Sequence, residues 1–372
     1  MKQIFLSGNC IEEQLLHIMQ DTIRHRIMLV AGNSYCGLPV RKVIEGIAQT
    51  LGIELVRFPD FSPNPAYREV ESGVECYRDR KCEGLLAVGG GSAMDVAKCI
   101  KLFSGLTPGK CYLEQEVKES TDVLITVPTT AGSGSESTQF AVLYKDGVKY
   151  SVDSEFALPQ YVILNGENLL TLPLSSKKVT WCDALSHAIE SYWSLKATDE
   201  SKELAKYAIS LLLDNMEAYW ANDLGACEKV LEGANLAGQA INITRTTAAH
   251  AMSYKFTSLY GIPHGYAVML CLPEVWQYMQ EHLEDCRDER GRQYLTDLLE
   301  ELSRCLEKES PMEAISFLKE LRKQFSFKVP GKMAEEQIEM MAKTVNVQRL
   351  DNFPIVVSRA QIREIYRQIM LQ

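Results

Sequence analysis

GLLAVGGGSAMDVAK, residues 84–98, sets an uninterrupted apolar run directly before three glycines, a serine and a helical pattern. A short apolar run bounded by glycine reads as a strand buried on both faces. The glycines allow close backbone approach, and the helix that follows at 93–103 turns its first N–H groups toward an anion such as a phosphate. The spacing is not GxGxxG, because Met94 stands where the last glycine, counted from Gly89, would fall. Taken alone, Ser92 is equally a helix cap and GGGS equally a tight turn.

Upstream, 26–31 (RIMLVA) reads as a buried strand ending at the turn Gly32-Asn33-Ser34, followed by a helix at 40–51 and a strand at 53–58. After Pro63-Asn64-Pro65 comes an amphipathic helix at 67–80. Downstream, 123–127 (VLITV) is a further strand, and it runs into PTTAGSGSE at 128–136, a loop dense in hydroxyls and glycines. Strands alternating with helices imply a mostly parallel, doubly wound sheet. Two polar loops at strand ends are the arrangement expected around a ligand crevice in such a sheet.

From Leu174 onward strand-like runs become rare, and helical periodicity dominates 177–195, 201–220, 227–243, 294–306, 311–325 and 360–371. The expected architecture is therefore α/β plus all-α, with a Rossmann-like domain over 1–173 and a helical domain over 174–372. A chain of 372 residues exceeds the roughly 250–300 at which single cores stop growing, which agrees with two domains. The net charge of −10 argues against nucleic acid as a partner. No stretch approaches the ~20 apolar residues of a membrane span, and the start MKQIFLSGNCIEEQ lacks a signal-peptide pattern, so a cytoplasmic protein is expected. Eleven cysteines without a CxxC pair do not form a disulfide framework, and Cys99, Cys182 and Cys271 read as small buried hydrophobes.

Histidine is scarce, with six in the chain. Asp183 and His187, in Asp-Ala-Leu-Ser-His, lie four apart in a helical stretch and share a face. His250 lies in Ala-Ala-His-Ala-Met and His264 in Gly-Ile-Pro-His-Gly, a break before a new helix. Each singly is more often a core or turn histidine. Together, one carboxylate and three imidazoles suit Fe²⁺ or Zn²⁺ and leave room for a substrate oxygen.

GGGSAMDVAK, PTTAGSGSE, DALSHAIE and the segment from His250 to GIPHG, in this order and spacing, resemble the signature blocks of the iron-containing alcohol dehydrogenase family. The resemblance extends from about Arg26 to Tyr366. It implies a dehydroquinate-synthase-like architecture, a homodimer, and a site in the cleft between a nicotinamide domain and a metal-binding helical domain. By that resemblance Asp183, His187, His250 and His264 hold the metal and act through it. Gly89, Gly90, Gly91 and Ser92 cradle the pyrophosphate of NAD(H) or NADP(H), Thr129, Thr130 and Ser133 line the cofactor, and Lys149 is a further contact. Asp95 is a cofactor-side polar contact supported by Lys98. The implied reaction is hydride transfer between the nicotinamide and a metal-polarised carbonyl.

Three departures bear on detail. Many members carry a carboxylate after the first strand, where it repels a 2′-phosphate. Here Gly32 and Asn33 stand in that turn, so NADP(H) is expected to be accepted, even preferred. Tyr254 replaces a histidine that follows the third ligand by four residues in many members, and either its hydroxyl or water takes over any proton relay. Asn165-Gly166 replaces a common Asp-Pro. The run TTAAHAMSYKFTSLYGIPHG and the later 346–352 (NVQRLDN) are similar to the phosphonoacetaldehyde reductase branch. Arg245, Lys255 and Arg349 would then clamp an anionic substrate tail next to Tyr254, unless the first two are ordinary surface charges. Alternatives are a general short-chain alcohol dehydrogenase, a glycerol-dehydrogenase-like or dehydroquinate-synthase-like enzyme, and a cofactor-binding protein without turnover.

Overall fold

A computed structural model describes residues 3–8, 11–117, 119–325, 333–345 and 350–370. The first elements are β1 (Ile4–Ser7), α1 (Ile11–Thr22), β2 (Arg26–Val30), α2 (Val40–Leu51), β3 (Glu54–Phe58) and α3 (Tyr67–Asp79). They are followed by β4 (Gly84–Gly89), α4 (Gly91–Phe103), β5 (Val123–Pro128), β6 (Phe140–Lys145), β7 (Val148–Asp153) and β8 (Tyr161–Leu164). Six strands form a parallel sheet in the order β1-β8-β5-β4-β2-β3, and β6 pairs antiparallel with β7 in a separate hairpin.

The continuous apolar runs have a simple cause. Along β4, Leu85 and Ala87 join the core formed with α3 and α4, while Leu86 and Val88 join the opposite core, formed with α1 and α2. Helices cover both faces, so the central strands are almost wholly apolar; the buried Thr126 of β5 satisfies its hydroxyl on the Tyr161 carbonyl. Fully burying each such aliphatic side chain contributes roughly 1.5–3 kcal/mol. The chain reverses its direction of sheet growth between β2 and β4, and the turns after these two strands therefore flank a topological switch point.

The second half is helical: α5 (Leu174–Trp193), α6 (Asp199–Asp214), α7 (Met216–Trp220), α8 (Leu224–Thr244), α9 (Ala248–Tyr260) and α10 (His264–Glu281). Then come α11 (Arg292–Cys305), α12 (Pro311–Gln324), α13 (Glu335–Lys343) and α14 (Arg359–Met370). Helices α5 and α10 are buried nearly all round, as expected of helices at the centre of a bundle. Two compact units result: one of Met1–Pro173 with Ala221–Leu231, the other of Leu174–Trp220 with Glu232–Gln372. The first turns of α8 thus group with the sheet unit. There Gly166 abuts the Glu228 backbone so closely that an added β-carbon would lie 2.8 Å from Glu228 N, which accounts for glycine at that position.

Several elements differ from the sequence expectation. The stretch 201–220 is two helices, α6 and α7, separated at Asn215. Strands β1, β6, β7 and β8 and helix α1 were not anticipated. Strand β1 is a four-residue edge strand with Ile4 and Phe5 exposed, too short to show a pattern. The β6–β7 hairpin turns at Asp146-Gly147, both in the left-handed region, and this Asp-Gly pair is a local hairpin signal. Among the described residues no helix is long and apolar enough to cross a membrane.

Candidate active site

In the helical unit, α5 carries Asp183, His187 and Glu190 on one face, at spacings of four and three residues. Helix α9 begins directly beside Glu190. The Glu190 carboxylate accepts the Thr247 N–H at 3.1 Å, the Thr247 hydroxyl at 2.5 Å and the Ala249 N–H at 3.0 Å, capping the helix with a negative charge. Its second oxygen meets His250 Nδ1. That contact fixes the ring so that Nε2 points at Asp183 Oδ1, 3.5 Å away.

Two further imidazoles face the same oxygen. His187 Nε2 and His264 Nε2 each lie 3.9 Å from Asp183 Oδ1. His187 stacks on His250 with ring centroids 4.5 Å apart, and Tyr254 stacks on His264 at 5.8 Å with planes nearly parallel. His264 opens α10, and the next residue explains how it gets there. A β-carbon on Gly265 would lie 2.0 Å from the Val179 carbonyl oxygen and 2.8 Å from Asp183 Cβ. Glycine alone lets the start of α10 press against α5 at this level.

The arrangement fits a bound cation. Asp183 Oδ1 and His250 Nε2 are shielded from water and neither has a hydrogen-bond partner among the described residues. Orphaned buried polar atoms are costly unless a ligand satisfies them. Ligand atoms of Asp183, His187 and His250 lie within 4.8 Å of one another. Donors bonded tetrahedrally at ~2.1 Å would be separated by about 3.4 Å, close to the spacing observed around Asp183. Burial pushes the Asp183 carboxyl up, but the imidazoles of His187, His264 and His250 hold it well below the usual carboxylate range. Burial lowers His250, and Glu190 and Asp183 more than reverse this, raising it to about 9.

In the sheet unit the two predicted loops lie side by side. Thr129 N–H donates to Gly89 O at 3.0 Å. β-Carbons on Gly90 and Gly91 would come within 3.1 Å of Thr130 Oγ1 and 3.0 Å of Ser133 Oγ, so the glycines let the loops nest without displacing these side chains. The N-cap of α4 is Gly90, with no side chain to occupy the first-turn N–H groups, and Ser92 lies inside the first turn. That leaves an anion-binding helix start of the kind a pyrophosphate occupies.

Behind the loops, the buried Lys98 Nζ donates to Ser135 Oγ (2.9 Å), Thr138 Oγ1 (3.1 Å) and Phe140 O (2.9 Å). Asp95 accepts the Ser135 hydroxyl at 2.7 Å and the Val142 N–H at 3.0 Å. Both of its oxygens are engaged inside the protein, so Asp95 holds the loop and hairpin in place. Burial raises the Asp95 carboxyl, and the charges of Lys98 and, more weakly, of Lys149 on β7 oppose that shift.

Gly32 and Asn33 enter a 3-10 turn (Asn33–Gly37) that contains no carboxylate. Sequence reading missed Arg57 beside it: Arg57 Nη2 donates to Gly32 O at 3.2 Å, and its guanidinium lies 5.7 Å from the Tyr35 ring centroid. Glu190 was also missed, although its position seven residues after Asp183, on the same helical face, was a usable signal.

Of the substrate residues, Tyr254 lies against His264. Arg245 adopts a left-handed backbone between α8 and α9 and donates to Asn242 O at 3.1 Å. Lys255 is half-buried on α9. Five residues advance a helix by about 500°, which turns Lys255 roughly 140° away from His250. Arg349 lies outside the described residues.

Comparison with known proteins agrees with this architecture. The sequence profile of iron-containing alcohol dehydrogenase matches residues 3–166, and that of the Fe-containing alcohol dehydrogenase family, C-terminal, matches residues 178–370. Choline dehydrogenase of Bacillus subtilis (strain 168) is 34% identical over 249 residues, which cover 63% of this chain and 61% of that protein. The chain thus aligns with about three-fifths of that relative's length. An iron-containing alcohol dehydrogenase from Thermotoga maritima superposes with a TM-score of 0.85 at 28% identity, over 100% of this chain and 99% of that one. The sulfoacetaldehyde reductase of Bifidobacterium kashiwanohense, solved with NAD⁺, does so with a TM-score of 0.87 at 25% identity, over 99% and 97%. Two adjoining profiles that together span nearly every described element, and the same fold in solved members, establish that the chain belongs to the iron-containing alcohol dehydrogenase family.

Proposed function

We propose that the chain is a metal-dependent, nicotinamide-linked oxidoreductase that reduces a small aldehyde with an anionic tail, phosphonoacetaldehyde, to 2-hydroxyethylphosphonate. The observation that carries the reaction class is the Asp183 carboxylate facing three imidazoles, with two buried donor atoms that have no hydrogen-bond partner among the described residues. When bound, Fe²⁺ or Zn²⁺ supplies Lewis acidity toward the carbonyl oxygen and NADPH or NADH supplies the hydride.

The protein's own groups do the positioning. Asp183, His187, His250 and His264 hold the metal, and Glu190 fixes the His250 tautomer and orientation. Gly89 to Ser92 receive the pyrophosphate at the start of α4, while Thr129, Thr130 and Ser133 offer hydroxyls along the same wall. The Tyr254 hydroxyl or water delivers the proton that completes reduction. The turn at Asn33, free of carboxylates and flanked by Arg57, favours NADP(H), because a 2′-phosphate there meets a cation rather than a negative charge.

Arg245 and Lys255, with Arg349, support the anionic substrate, as does the relation to a reductase of another anionic two-carbon aldehyde. The rotation of Lys255 away from His250 favours a second reading, a general short-chain alcohol dehydrogenase. NADPH oxidation by metal-loaded protein, with phosphonoacetaldehyde compared against propanal and lactaldehyde, separates the two. A roughly 100-fold preference in kcat/KM, about 2.7 kcal/mol of transition-state discrimination, supports the phosphonate. Equal or faster turnover of the neutral aldehydes removes it. An NADH preference under the same conditions removes the cofactor assignment, with Arg57→Ala as the internal control.

A further inference from the structure

In the sheet unit, one cluster of nucleophilic and basic side chains takes no part in the reaction proposed above. Cys111 is half-buried just before a short 3-10 turn (Tyr112–Glu114), with its Sγ 3.1 Å from Lys145 Nζ. Lys145 ends β6, and its ammonium stands 5.1 Å from the centroid of the Tyr67 ring. Tyr67 Oη accepts the Tyr112 N–H at 2.7 Å, which leaves its own proton to donate to the Cys111 sulfur. The Leu113 N–H donates to the same sulfur. Three donors from three segments of chain thus converge on one sulfur. Cys111, Tyr67 and Lys145 border a cavity of about 730 Å³, also lined by Arg68, Glu71 and Lys110.

The environment differs from that of the other thiols. Burial is the main cause that pushes Cys82 up to about 12 and holds Cys99 and Cys182 well above an ordinary thiol. At Cys111 burial also acts upward, but the contacts from Lys145, Tyr67 and Leu113 outweigh it and leave the thiol below its ordinary value. Glu71 faces Tyr67 from α3, while Glu114 and Asp146 face Lys145, so acidic groups oppose the effect without cancelling it.

We propose that Cys111 is a thiolate modification site, held by Lys145, Tyr67 and the Leu113 N–H, that reacts with hydrogen peroxide entering this cavity. The sulfur attacks one peroxide oxygen, forming an S–O bond as the O–O bond breaks. The departing hydroxide takes a proton from the Lys145 ammonium. The products are cysteine sulfenic acid, water and a neutral lysine amine: sulfur is oxidised by two electrons and the peroxide reduced by two. The thiolate is the reactive form, so the lysine contact sets the rate at neutral pH.

The full-length protein is treated at pH 7 with limiting iodoacetamide and, separately, with hydrogen peroxide plus dimedone, and adducts are mapped by peptide mass spectrometry. Cys111 is expected to react first in both, ahead of the exposed Cys36, and its alkylation profile should lie at lower pH than that of N-acetylcysteine. Lys145→Met should slow Cys111 alkylation about tenfold at pH 7 and move the profile upward, with Lys145→Arg restoring it. Labelling of Cys36 before Cys111, or a Lys145→Met profile identical to wild type, overturns the proposal. If Lys145→Met does not fold, the wild-type profile decides: one at or above that of N-acetylcysteine overturns it. Cys111→Ser should abolish the dimedone adduct and leave NADPH-linked turnover intact.

Discussion

Asp95 on α4 and Asp183 on α5 present the same physical problem in different units of the chain. Each carboxylate is sheltered from water and surrounded by basic side chains. Around Asp95 the protein completes the network itself: Ser135 and Val142 take up its two oxygens, and the Lys98 ammonium, bonded to Ser135, helps tie loop, hairpin and helix together. Around Asp183 the network stays open, with Oδ1 and the facing His250 Nε2 lacking hydrogen-bond partners among the described residues. A closed buried network fixes backbone geometry, whereas an open one stores binding energy for a ligand. The first therefore marks a scaffold for the cofactor loops, and the second a place for a cation.

The largest expected effect comes from emptying the open network. Asp183→Ala, or exhaustive chelation of the wild type, should lower kcat/KM by at least ~10³-fold, and only the chelated wild type should recover when Fe²⁺ or Zn²⁺ is restored. Turnover of Asp183→Ala close to wild type would place the chemistry elsewhere. Gly265→Ala comes next. Its β-carbon would overlap the Val179 carbonyl, so α10 must retreat from α5 and carry His264 with it. Such overpacking costs about 1–3 kcal/mol, and metal affinity should fall together with the unfolding midpoint. Unchanged metal affinity would mean that His264 is not among the ligands. Glu190→Gln keeps the shape but weakens the grip on His250 Nδ1. A 10–100-fold loss of metal affinity is expected by analogy with other groups that orient a ligand, measured by competition with a chromogenic chelator.

These contrasts also show where the sequence was legible. The central strands could be read because both faces of the sheet are covered, which makes 27–31, 84–88 and, apart from Thr126, 123–127 continuous apolar runs. Strand β1 and the β6–β7 hairpin are partly exposed, and their mixed pattern concealed them. The four candidate donors stood out because histidine is scarce and Asp183 sits in an apolar helical stretch. Glu190 did not, since a glutamate in a helix ordinarily faces water, and only the start of α9 placed beside it makes it a cap. Arg57 escaped for a similar reason: an arginine alternating with apolar residues reads as the exposed face of a strand, and its proximity to Gly32 arises from the pairing of β2 with β3.

The smallest effect tests the closed network, through pH. Burial drives the Lys98 ammonium down from 10.5 to about 8, with Asp95 and Glu136 only partly restoring it. In the unfolded chain the amine keeps its ordinary value. Between about pH 8 and 10.5 the unfolded state therefore holds more protons than the folded one, and stability contributed by this residue rises with pH across that window. Below about pH 8 the full cost of the buried charge is present. Lys98→Met removes the titration but leaves Ser135, Thr138 and Phe140 O without their donor, a loss of about 1–3 kcal/mol. Urea titrations of both proteins should show the wild type gaining on the variant as pH goes from 8 to 10.5. A constant difference would mean that Lys98 is as well solvated in the fold as out of it, and the contrast with Asp183 would then lose its closed half.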